Sequence, residues 1–145
     1  MFNNLYLVRH GEAIFENLTP NGHRQAQLAA ERWSRVWDRR ETHVYNSPEK
    51  HTRAAASEFT KRIGVPSIES DYLLEANFAD RMAHLAFARL LGEVFTPHVV
   101  LIGHDETRRV CEAIVFRYFE RTDVVPYVPI GGLLRFTELG GYELL

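Results

Sequence analysis

A single cysteine in 145 residues rules out an intramolecular disulfide, and with it the small stapled folds of oxidising compartments. That residue, Cys111, falls in an apolar helical pattern with Val110, Ile114 and Tyr118, and reads as a small buried side chain rather than a nucleophile. No apolar run is long enough to cross a bilayer, and the residues from Met1 to Asn4 do not begin a basic region followed by a signal-type apolar stretch. A cytoplasmic protein without a membrane partner is therefore the default expectation. Neither sign of charge dominates: 17 Lys and Arg stand against 19 Asp and Glu, a net charge of -2. That balance excludes a bulk attraction to nucleic acid, yet leaves room for a local basic pocket of the size a phosphate needs. Biased tracts, repeats and linkers are missing too, so residues 1–145 read as one domain, with a monomer as the default.

What the chain does have is a buried run that stops abruptly. Leu5-Tyr6-Leu7-Val8 is continuously apolar, as in a strand covered on both faces of a parallel sheet, and Arg9-His10-Gly11-Glu12 follows at once. Arg9 and His10 then sit at a strand's carboxyl end, where open α/β sheets place their ligand crevice. Thr19-Pro20 signals a helix start, and apolar spacing from Ala26 through Ala29, Ala30 and Trp33 carries that helix to about Trp37. A short strand is expected over 43–47. Pro48 then opens a second helix to about Ile63, closed by Gly64, and a third strand follows near 67–70. A helix is expected from Asp80 to Phe95 and a buried strand from His98 to Ile102. Gly103-His104-Asp105 repeats the logic of His10-Gly11 ahead of a helix that Asp105 or Thr107 would cap. Two short strands, over 133–137 and 142–145, end the chain. Strands alternating with helices make an α/β sandwich.

The Arg9-His10-Gly11-Glu12 tetrad is followed by Leu18-Thr19-Pro20-Asn21-Gly22-His23-Arg24-Gln25-Ala26, Ser47-Pro48, Leu74-Glu75-Ala76-Asn77-Phe78 and Leu101-Ile102-Gly103-His104. In that order and at that spacing the chain resembles the histidine phosphatase superfamily, which includes the phosphoglycerate mutases. The resemblance implies a three-layer sandwich with one mixed, mostly parallel sheet and helices on both faces. It also implies a phosphatase that works through a phosphohistidine on His10 and needs no cofactor. The substrate would be a phosphorylated small molecule or a phosphoprotein.

Phosphoryl transfer asks a protein to hold a nucleophile in line with phosphorus and to neutralise the equatorial oxygens. A neutral imidazole at His10 offers the lone pair. Arg9 offers a permanent forked cation, and His104 a hydrogen bond to the same phosphoryl group, with Gly11 beside it in the phosphate-binding turn. Glu75 is the candidate general acid, although Ala79 occupies what is usually glycine in the family. The largest departure follows Ser47-Pro48, where the family's second phosphate arginine is matched by His51, with Arg53 two residues on. Either His51 takes that place or the helix start is shifted and Arg53 reaches in; on a helix the two directions differ by about 200°. Histidine would exchange a permanent cation for a partly charged one, giving weaker phosphate binding or lower turnover. A phosphoryl-binding regulatory domain with little or no activity is the rival reading. A mutase is less expected, because the family's mutases carry an insertion before the Glu75 region and a covering tail. Metal binding is not expected: no histidine pair has zinc-helix spacing, and His10 and His104 are too few ligands.

Overall fold

The computed structural model describes residues 2–74, 80–93, 96–122, 124–137 and 141–145. The elements run β1 (Asn4–Arg9), β2 (Ala13–Ile14), β3 (Asn17–Leu18), α1 (Pro20–Val36), β4 (Thr42–Asn46), α2 (Lys50–Ile63), β5 (Ser67–Glu69), α3 (Arg81–Leu91), β6 (His98–Gly103), α4 (Arg108–Phe119), β7 (Leu133–Thr137) and β8 (Tyr142–Leu144). Six strands form one sheet in the order β5-β4-β6-β1-β7-β8. β5, β4, β6 and β1 are parallel, while β7 and β8 are antiparallel additions at one edge. The expected mixed, mostly parallel sheet with helices on both faces is what forms.

The unbroken apolar run of β1 has a direct structural cause, since strand side chains alternate between two faces and here both are covered. Leu5 and Leu7 join Val99 and Leu101 against the layer holding Phe87, Leu91, Cys111 and Ile114 of α3 and α4. Tyr6 and Val8 join Val100 and Ile102 against Ala29, Ala30 and Trp33 of α1 and Phe59 of α2. Trp33 is fully buried and stacks on Trp37 at 5.0 Å, so both tryptophans belong to the core layer. Cys111 is likewise buried, and desolvation pushes its thiol far above the ordinary range, which removes it from nucleophilic chemistry.

Several boundaries differ from expectation, each for a local reason. Helix α2 begins at Lys50 instead of Pro48, because Glu49 occupies the cap position with its side chain turned to Ser47 rather than to the helix amides. Helix α3 is shorter, running only to Leu91 with Gly92 closing it; Phe95 lies outside the described residues. Residues 105–107 make a 3-10 turn ahead of α4, and the Thr107 hydroxyl accepts from the His104 backbone N–H instead of capping the longer helix. The β2–β3 hairpin adds to the expected elements; Phe15, at its turn, takes a left-handed φ of 56°.

His98 leads into β6 and is buried, with Nε2 2.7 Å from Asp38 Oδ1. That hydrogen bond, first among several causes, holds the Asp38 carboxyl well below the usual carboxylate range. A carboxyl depressed in the folded state adds stability above its unfolded pKa of about 4 and loses it as pH falls through the folded value. The thermal midpoint should therefore decline below about pH 4, and Asp38→Asn should flatten that decline in calorimetric scans between roughly pH 2 and 6. An identical slope in the variant would rule out this pair as its source.

Candidate active site

The three central strands deliver their next residues to one edge. Arg9 of β1 pairs with Gly103 of β6, and Asn46 of β4 pairs with Ile102, so His10, His104 and Ser47 emerge side by side at the carboxyl ends. Backbone bonds fix the splay: His10 N–H donates to the Gly103 carbonyl at 2.9 Å and Ser47 N–H to the Ile102 carbonyl at 3.1 Å. Behind His10 the turn is held by two glycines. A Cβ on Gly11 would collide with the backbone of Gly22, and one on Gly22 with the backbone of Glu12. This close approach seats the loop on the first turn of α1, and it explains why both motif segments need a glycine. Glu12 completes the seat by accepting from Thr19 Oγ1 at 2.8 Å and Asn21 Nδ2 at 3.4 Å, so its carboxylate serves the helix start and not Arg9.

His10 Nδ1 lies 2.7 Å from the Gly11 carbonyl. A carbonyl only accepts, so Nδ1 carries the proton and Nε2 keeps its lone pair. Burial lowers the imidazole pKa to about 4, against the Gly11 hydrogen bond and with help from His51, His104 and Arg9 nearby. The ring is thus neutral throughout the physiological range. His51 and His104 pack against it edge-on, with ring centroids at 4.4 and 5.3 Å. His51 Nε2 is 3.4 Å from His104 Nδ1. The other nitrogen of His104 faces Glu49 Oε2 at 3.3 Å and Ser47 Oγ at 3.4 Å.

The two candidates for the second cation therefore part company. His51 joins the histidines, whereas Arg53 lies on the exposed side of α2 with its Nε 2.5 Å from Glu69 Oε1 on β5. Arg53, expected as the alternative phosphate ligand, is thus not brought together with the histidines: the rotation between positions 51 and 53 turns it to Glu69. Arg9 is bound from the far end of the chain, its Nη1 donating to Tyr127 Oη at 2.7 Å and to the Val128 carbonyl at 2.8 Å. Its Nε is buried with no hydrogen-bond partner among the described residues. Asp105 pins the same loop by accepting from Val128 N–H at 3.1 Å. Glu75 lies outside the described residues. Tyr127 and Val128 carry no local sequence signal, lying 118 and 119 positions from Arg9, and the Ser47–Glu49 support is marked in the sequence only by the Ser-Pro pair.

The sequence model described as the histidine phosphatase superfamily (branch 1) matches residues 5–93. The chain belongs to the histidine phosphatase superfamily. The matched residues include Arg9, His10, Gly11 and His51. No curated protein matches the sequence. Among solved structures the chain is similar to the proposed phosphohistidine phosphatase SixA of Agrobacterium tumefaciens, with a TM-score of 0.67, 15% identity, and coverage of 99% of this chain and 95% of that one. It is similar to a mycobacterial glucosyl-3-phosphoglycerate phosphatase, with a TM-score of 0.65, 14% identity, and coverage of 98% and 96%. A phosphoglycerate mutase from Plasmodium falciparum gives a TM-score of 0.62, 16% identity, and coverage of 98% and 87%. At these identities the likeness is one of fold. No helix among the described residues is long and apolar enough to cross a membrane.

Proposed function

We propose that this superfamily member is a phosphatase whose nucleophile is His10 Nε2. The observation that carries the reading is the Nδ1 contact to the Gly11 carbonyl, which leaves the lone pair on Nε2 in a ring that burial keeps neutral. Nε2 attacks phosphorus, the bond from phosphorus to the leaving oxygen breaks, and that oxygen takes a proton from Glu75 as general acid. Water then attacks the phosphohistidine, gives a proton back to Glu75, and the P–N bond breaks to release phosphate. Arg9 offers charge to the equatorial oxygens; its Nε–H, which has no hydrogen-bond partner among the described residues, supports that role. With a proton on each ring nitrogen, His104 keeps Nε2–H on Glu49 and donates from Nδ1 to the phosphoryl group.

The substrate reading follows from the cations. With Arg53 engaged by Glu69, and His51 standing where the superfamily's second arginine is matched, one permanent cation faces the phosphoryl group among the described residues. Tight capture of a small, highly charged sugar phosphate needs several positioned donors. A phosphoryl group presented on a protein, phosphohistidine included, brings binding area of its own. Protein treated with phosphoramidate should accordingly carry acid-labile, base-stable phosphate that maps to His10. Its kcat/KM should be higher for a phosphohistidine protein than for 3-phosphoglycerate. Label that persists in His10→Ala would refute the nucleophile, and a clear preference for 3-phosphoglycerate would refute the substrate class.

A further inference from the structure

The substitution that weakens the phosphate site builds something else. Three imidazoles from three different elements converge: His10 after β1, His51 in α2 and His104 after β6 each offer a nitrogen, and these atoms lie within 4.8 Å of one another. Two nitrogens bound to one tetrahedral zinc at about 2.0–2.1 Å stand about 3.4 Å apart. The edge between His51 Nε2 and His104 Nδ1 already has that length, at 3.4 Å. Closing the remaining edges takes a shift of roughly an ångström shared among the rings. Neutral imidazole is also the ligand form that zinc and its neighbours in the transition series accept.

The outer contacts match a metal site as well. Histidines that bind metals turn their other ring nitrogen to a carboxylate or carbonyl, which fixes the tautomer and raises the basicity of the ligating atom. His104 turns Nε2 to the Glu49 carboxylate, and His10 turns Nδ1 to the Gly11 carbonyl. Glu49 is itself held by the Ser47 hydroxyl, which is buried and also contacts Thr52 Oγ1 at 2.6 Å. The Glu49 carboxylate sets a negative charge behind His104 and so offsets the Arg9 guanidinium that acts on His10. An arginine at position 51 would bring a fixed cation in place of the third donor, so the three-ligand set exists only with histidine there.

We propose that His10, His51 and His104 form a binding site for one divalent transition-metal ion that accepts three imidazoles, such as zinc. Because the ion and the phosphoryl group both require His10 Nε2, metal binding and phosphorylation exclude each other. The binding stands on the three-histidine geometry alone; the exclusion rests on the phosphatase reading above. The proton between His51 Nε2 and His104 Nδ1 must leave that edge as the ion takes its place, either to His51 Nδ1 or to solvent.

Cobalt(II) is the probe, because its visible ligand-field bands intensify several-fold when coordination falls from octahedral. Titration of the full chain should saturate at one equivalent with intense bands, and zinc should displace them. His51→Arg and His51→Gln, the second an uncharged side chain of similar size, should each weaken cobalt binding by about 100-fold or more, while His43→Ala should leave it unchanged. Absence of one-to-one binding in the wild type, or binding in both His51 variants as tight as in the wild type, would overturn the site. Pre-loading with zinc should block phosphoramidate labelling of the wild type but not of His51→Arg. If zinc binds and labelling proceeds at its metal-free rate, the exclusion is wrong; if metal-free protein never labels at His10 yet binds cobalt, the phosphatase reading fails and the metal site stands.

Discussion

His10→Ala is expected to lower turnover of an aryl phosphate by at least about 10³-fold while leaving the fold intact. The separation of the two effects follows from which atoms hold the turn. The position is anchored by main-chain bonds, His10 N–H to the Gly103 carbonyl and Gly131 N–H to the His10 carbonyl, at 2.9 and 3.0 Å, and alanine keeps both. The imidazole contributes one hydrogen bond to Gly11, worth about 1 kcal/mol, so the thermal midpoint should move by only a few degrees. Steady-state kinetics beside a melting curve checks both halves. Retention of more than a tenth of the activity would remove His10 from the chemistry, and loss of cooperative melting would show that it had a structural role.

The second large effect is expected far from any reacting atom. Gly22→Ala lies in the first turns of α1, where alanine ordinarily stabilises a helix by about 1 kcal/mol. Here the new methyl would meet the Glu12 backbone, and backbone cannot swing aside as a side chain does. Unfolding in urea should show a loss of about 2–4 kcal/mol, opposite in sign to the helix propensity. Gly64→Ala provides the contrast. Gly64 ends α2 at φ 74° with open space around it, so the change should cost only about 1 kcal/mol through backbone strain. If Gly22→Ala is as stable as the wild type, the loop and helix are not in the tight contact described, and the seat of His10 must be sought elsewhere.

The difference between these positions also shows what a sequence can and cannot disclose. The two buried strands and their terminal histidines are legible because continuous apolar runs, glycine breaks and strand-end chemistry are local signals. The helices are legible from their period, and Thr19 caps α1 as expected, accepting from the Gly22 amide at 3.0 Å. The fate of position 51 is not local. Whether His51 or Arg53 faces the phosphate depends on where α2 begins, and that is set by Glu49 turning toward His104, 55 positions away in the chain. Arg9 offers a parallel case, since its two partners, Tyr127 and Val128, are 118 and 119 positions distant. A reading of the histidines by spacing therefore stops at two, His10 and His104, where the fold brings together three.

The strand order β4-β6-β1 has a consequence for how the protein comes into being. β1 and β4, which precede His10 and Ser47, are not neighbours; β6 lies between them and hydrogen-bonds to both. A chain emerging from the ribosome has made the tetrad, α1, α2 and His51 long before it makes β6, and until then the two strands have no central partner to hold them in register. Non-local pairing of this kind carries its loop-closure cost before any contact rewards it. The insertion of β6 that completes the sheet is also the event that brings His104 between Glu49 and the other two rings. Folding and the assembly of the site are thus one cooperative step, and a partly made chain displays His10 without the two rings that pack against it in the finished fold.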